Sequence, residues 1–222
     1  MNFCFLLLIL FQTIMNIILH PTYFPSISQF AAIAQADQVS FEVEDNFQKQ
    51  TSRNRTYIYS PNGIQLLNIP IKHSKENRQK TKDIRIETEF GWQKQHFKSL
   101  EAAYRSSPFF EFFEDDIKPL FEKQHEFLLD LNFEALEIVL KCLRLKVDYT
   151  KTTVYSPEIT DGQTIDFRHL ANVKKDTSVF EPYTQVFDDK FGFLNNLSTL
   201  DLLFNEGKFA LDYLKKQPLL HL

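Results

Sequence analysis

Apolar and polar positions fall into three regimes along the chain: short apolar runs, then alternating segments, then long stretches at helical spacing. Asn16 to Leu19 is a short strand-like run closed by His20-Pro21 and Pro25, and it reads as a buried strand entering a turn. Ser28 to Ala36 keeps its apolar residues on one helical face, and Gln38 to Val43 alternates as a second strand. Thr56 to Tyr59 and Ile64 to Ile69 flank Ser60-Pro61-Asn62-Gly63, whose Pro, Asn and Gly suit a tight turn. This spacing predicts a β-hairpin. A basic loop, Lys72 to Asp83, then leads into a short strand, Ile84 to Glu87.

From Trp92 the period changes. Trp92, His96, Leu100 and Tyr104 recur at i+4 steps and define one face of a helix. Pro119 suits the first turn of another helix, and Asn132 suits the cap of a third running from Phe133 to about Lys146. Val147 to Asp176 is polar and reads as irregular. Ser198-Thr199-Leu200-Asp201 has the pattern of a capping box, with Asp201 as the reciprocal cap, and Gly207 stops that helix. The elements predict an α/β fold, a single domain with an N-terminal Rossmann-like strand-turn-helix unit, a β-hairpin and a helical C-terminal half. No repeat or linker divides residues 15–222.

The first fourteen residues stand apart. Phe3 to Phe11 is unbroken apolar sequence, yet no Lys or Arg precedes Lys49, as a signal peptide would require. The run is also short of the ~20 apolar residues that cross a bilayer. A chain that starts at Met15 would begin directly with the first strand, and residues 1–14 are read as an extra segment from a mis-set start. A cleaved leader, an anchor and a structural helix remain the alternatives. No stable membrane insertion is expected, and a reducing, cytoplasmic setting fits the lone core cysteine, Cys142.

Charge changes the picture in one place. Lys49 to Arg85 carries nine basic and two acidic residues in a chain whose net charge is −4, so that segment is +7 and the remainder −11. Such asymmetry suits an anionic small molecule, or merely a solvated basic loop. Nucleic acid is not expected of a chain that is acidic overall and lacks a recognised binding module. With five Gly, no phosphate loop or dinucleotide fingerprint occurs, and six scattered His give no metal-ligand spacing. The patterns leave any cofactor unknown.

Four segments together resemble the WbqC-like family, associated with bacterial O-antigen and related surface polysaccharides. They are Ile18 to Pro25; Phe47-Gln48-Lys49 with Asn54-Arg55 and Leu67 to Pro70; Trp92, His96 and Tyr104 leading to Pro108-Phe109-Phe110; and Tyr183 to Phe187 with Gly192-Phe193 and Asn196 to Gly207. The family usually begins at the strand, and its first turn commonly has Gln-Pro where this chain has His20-Pro21. The resemblance implies a cytoplasmic protein of surface-polysaccharide biosynthesis, a transferase acting on a phosphorylated or nucleotide-linked sugar. The alternative is a non-catalytic partner or scaffold in the same pathway.

The candidate residues follow. His96 is the candidate general base, against a satisfied, half-buried helix histidine. His20 and Tyr23 follow the first strand, where open α/β sheets bind ligands. Lys49, Asn54 and Arg55 open the basic segment and are candidates for a phosphate, bidentate for Arg and point-like for Lys. Gln185 and Asn196 either donate hydrogen bonds to a ligand or satisfy a buried turn.

Overall fold

The computed structural model describes residues 14–72 and 78–219. The apolar segment of residues 1–13 and the middle of the basic loop, including Lys75, lie outside the described residues.

A central strand is set first. β1 (Asn16–Leu19) is followed by α1 (Ile27–Gln35), which starts one residue earlier than its apolar pattern suggests. Ser26 caps it, with Gln29 Oε1 accepting from the Ser26 backbone N–H at 3.4 Å in a capping-box arrangement. β2 (Gln38–Phe41) returns parallel to β1, pairing Ile17 with Val39 and Leu19 with Phe41. The hairpin follows as predicted: β3 (Arg55–Ser60) and β4 (Gly63–Asn68) pair antiparallel, and Gly63 takes the positive φ of 92° at the turn. Ile84 to Glu87 makes only isolated bridges, Ile71 to Ile86 and Arg85 to Phe127.

Helices then dominate: α2 (Trp92–Tyr104), α3 (Phe110–Ile117), α4 (Pro119–Glu122) and α5 (Leu128–Leu143). The predicted face of α2 is buried at all four positions, and Pro119 occupies the first turn of α4. The cap assigned to Asn132 is wrong. Asn132 lies inside α5, 1% exposed, and its side-chain amide donates to the carbonyls of Pro21 (3.3 Å) and Arg53 (2.8 Å).

The largest departure from the sequence pattern is the stretch expected to be irregular. It supplies β5 (Tyr149–Lys151) and β6 (Thr164–Asp166), both parallel to the first two strands, giving the order β5-β2-β1-β6. Three-residue strands are too short to display a period, and Thr150, Lys151, Thr164 and Asp166 carry no apolar signal.

The chain closes with α6 (Asp188–Phe191), α7 (Thr199–Glu206) and α8 (Ala210–Lys216). Ser198 Oγ accepts from the Leu200 N–H, so the cap of α7 holds. Asp201 is not its reciprocal partner: it is fully buried and accepts from Tyr104 (2.8 Å), Tyr183 (2.5 Å) and Gln185 (2.8 Å). α1 packs on α8, while Phe133 of α5 meets Phe41 of β2 edge-on and stacks on Tyr149 of β5. Among the described residues, no helix is long and apolar enough to cross a membrane.

Candidate functional site

The strand order reverses at β1. The chain leaves β1 toward β2 and β5 on one side, and β6 arrives on the other. In open parallel sheets such a reversal leaves a crevice beyond the carboxyl ends of the two strands, where ligands bind. His20 follows β1 there, Asp166 ends β6, and Arg168 stands two residues further on. A cavity of about 300 Å³ opens between them, lined also by Asp45, Arg53 and Tyr155.

Its polar groups hold one another tightly. Asp45 Oδ2 lies 2.6 Å from Arg53 Nη2 and 3.7 Å from His20 Nδ1, while Oδ1 accepts from Thr81 Oγ1 at 2.7 Å. Arg53, 1% exposed, also donates from Nη1 to Thr51 Oγ1. Arg168 forks onto Asp166 through Nε (2.9 Å) and Nη2 (2.5 Å), and its Nη1 donates to the Ser156 carbonyl. That Nη1 also lies 3.7 Å from Oε2 of the fully buried Glu42.

Three buried atoms in this cluster have no hydrogen-bond partner: His20 Nδ1, Glu42 Oε2 and Arg53 Nε. An unsatisfied buried polar atom costs about 1–3 kcal/mol, so these three make a costly polar cluster behind the cavity wall. Burial, and then the charges of Arg53 and Arg168, hold the His20 imidazole well below its ordinary pKa, against the opposing pull of the Glu42 carbonyl and Asp166. His20 is therefore neutral at pH 7. Nδ1 of its ring is enclosed, and the residue, 7% exposed, lines the cavity.

The loop from Asp45 to Asn54 has a second side. Gln48 and Arg53 face the cavity, whereas Lys49, Gln50 and Asn54 line a groove of about 700 Å³ against the end of β4. Arg55 Nε donates to Asn68 Oδ1 at 3.0 Å, and Asn54 Nδ2 donates to the Ile69 carbonyl at 2.9 Å. The basic excess is smaller than its formal count. Arg53 is spent on Asp45, Lys80 and Lys82 on Glu44, and Arg85 on Glu126, while Lys49, Arg55, Lys72 and Arg78 line the groove.

The predicted site residues are thus divided. His20 borders the cavity; Lys49, Asn54 and Arg55 border the groove. Tyr23 and His96 border neither. Both are buried, Tyr23 Oη lies 3.1 Å from His96 Nδ1, and burial pushes the imidazole of His96 down to about 4. Gln185 is 1% exposed and spends its amide on Asp201 and the backbone of Leu194. Asn196, at a φ of 55°, accepts from the Ser28 N–H and donates to Asp176. Gln185 thus satisfies a buried turn, whereas Asn196 is half-buried and borders a small pocket with Ser26 and Asp176.

Glu42, Asp45, Arg53, Asp166 and Arg168 were not singled out by sequence reasoning. The position of Asp45 and Arg53, in the segment after the second strand, was a usable signal. Asp166 and Arg168 had none, because the strand that carries them was invisible.

The chain is thus a mixed α/β protein with a small parallel sheet and a polar cavity at its switch point. The WbqC-like protein family matches residues 20–182, and the chain belongs to that family. It is 27% identical over 228 residues to an uncharacterized protein of Mycobacterium tuberculosis, Rv1507c, covering 89% of this chain and 96% of that one. No solved structure matches.

Proposed function

We propose that the chain is an enzyme of bacterial surface-polysaccharide biosynthesis, a cytoplasmic transferase that takes a phosphorylated or nucleotide-linked sugar at the cavity beside β1. The observation that carries this reading is the position of His20 at the end of β1, 3.7 Å from Asp45, on a cavity also lined by Arg53, Arg168 and Lys175. An acceptor hydroxyl would give its proton to His20 Nε2 as its oxygen bonds to the electrophilic carbon or phosphorus of the donor. The bond to the leaving phosphate breaks, and the phosphate departs with the electron pair. The Glu42 carbonyl and Asp166 would steady the imidazolium that forms, and Arg168 with Lys175 at the cavity would attract the anionic part of the donor. His20 takes the base role in place of His96, whose ring has no access to either opening.

The test is a thermal-shift panel of sugar phosphates and nucleotide sugars on the parent and on His20→Gln. Ligand at about 100 times its Kd stabilises by roughly 2.7 kcal/mol, a shift of about 5–10 °C for a chain of this size. Turnover found with any member should fall by ~10²–10⁴-fold in His20→Gln. A panel without a single shift, or a His20→Gln enzyme with parental turnover, sinks the reading. A non-catalytic partner in the same pathway is the second reading, favoured by the exposed rings of Phe90, Phe112, Phe191 and Phe209.

A further inference from the structure

We propose that the groove beside the β3–β4 hairpin is a second ligand site, built for the phosphates and flat ring of a nucleotide. It is set apart from the cavity by the loop from Asp45 to Asn54, so each side can be occupied on its own. Lys49 is an exposed point charge on that loop. Arg55, at the start of β3, is held by its Nε bond to Asn68, leaving both terminal nitrogens to fork onto a phosphate. Phe90, 68% exposed, and the half-buried Phe47 supply ring faces in the same groove. An exposed Phe beside cations on an open groove suits a ligand that is flat at one end and anionic at the other.

One further feature narrows the ligand: Glu87 and Glu89 also line the groove. Their carboxylates would repel a uniform polyanion such as a nucleic-acid backbone, and would accept from ribose hydroxyls or ring amino groups. A nucleoside diphosphate has both kinds of group.

The experiment is calorimetry with uridine 5′-diphosphate and adenosine 5′-diphosphate, beside inorganic pyrophosphate and the free nucleosides. It is run on the full chain and on Lys49→Ala/Arg55→Ala, Phe90→Ala and His20→Gln, each checked for a parental melting temperature. At least one diphosphate should bind the parent. Losing two charge-assisted contacts should weaken it by at least 10-fold, less at high salt as exposed charges are screened. Pyrophosphate and the nucleosides should each bind at least 10-fold more weakly than the nucleotide, and Phe90→Ala should close the gap to pyrophosphate. His20→Gln should bind the nucleotide as the parent does, because His20 does not line the groove. The proposal is overturned if neither diphosphate binds, if Lys49→Ala/Arg55→Ala binds as the parent, or if pyrophosphate equals the nucleotide. It is overturned equally if His20→Gln alone abolishes nucleotide binding, which would move the nucleotide to the cavity.

Discussion

The side-chain amide of Asn132, in the second turn of α5, donates to the backbone carbonyl of Arg53 at 2.8 Å. The same amide reaches the Pro21 carbonyl. One helix residue therefore ties together the turn after β1 and the loop that separates the cavity from the groove. Asn132→Ala should cost about 1–3 kcal/mol, because two buried carbonyls lose their donor. Urea denaturation checks the stability, and a parental midpoint would show that the clamp carries no weight.

Arg53 and Asp45 form a buried pair, with side chains only 1% and 5% exposed. Arg53→Ala should destabilise by about 3–5 kcal/mol, since it strands the Asp45 carboxylate away from water. Removing both should cost less than the two single losses added together, as expected of groups in direct contact. Additivity in the double-mutant cycle would contradict the coupling.

Stability should also fall in mild acid. The pKa of His96 is about 4 in the fold, against an ordinary value of 6.5. Between those values the unfolded chain holds the proton and the folded chain does not, so stability is complete above pH 6.5 and declines as pH drops toward 4. The loss is roughly 3 kcal/mol at 1.36 kcal/mol per pKa unit. His20, lowered in the same direction by burial, adds to it. Urea midpoints between pH 7.5 and 5 should fall for the parent and fall less steeply for His96→Gln.

Gly207 closes α7 at a φ of +54°, and a Cβ built there would sit 2.6 Å from the ring of Phe109. Gly207→Ala should therefore cost more than an ordinary cap substitution, roughly 1–3 kcal/mol from overpacking alone. Ser198→Ala, at the other end of the same helix, should cost about 1 kcal/mol. Thermal melts of the two variants should rank in that order.

Legibility in the sequence followed local chemistry. β1, the hairpin turn, the buried face of α2 and the Gly207 stop were all readable, because each writes its period or turn residue into consecutive positions. β5 and β6 were not, because edge strands of three residues take their conformation from the neighbour they pair with. Their loss hid half of the cavity. Asn132 and Asp201 misled for a related reason: both are typical capping residues whose side chains instead reach across the fold. His20 was placed by its strand, but its partner Asp45 became visible only in three dimensions.

The parallel pairing of β6 with β1 also has a consequence for the order of folding. β1 and β2 are joined by about twenty residues, whereas β6 meets β1 only after nearly 150 have been threaded elsewhere. Contacts of long sequence separation close slowly and late. His20 and Asp45 can thus approach each other early, while Asp166 and Arg168 arrive with the last strand to dock. A chain halted during synthesis before residue 160 would hold the imidazole and its carboxylate but lack the second arginine, so the cavity acquires its full set of charges only once the sheet is complete.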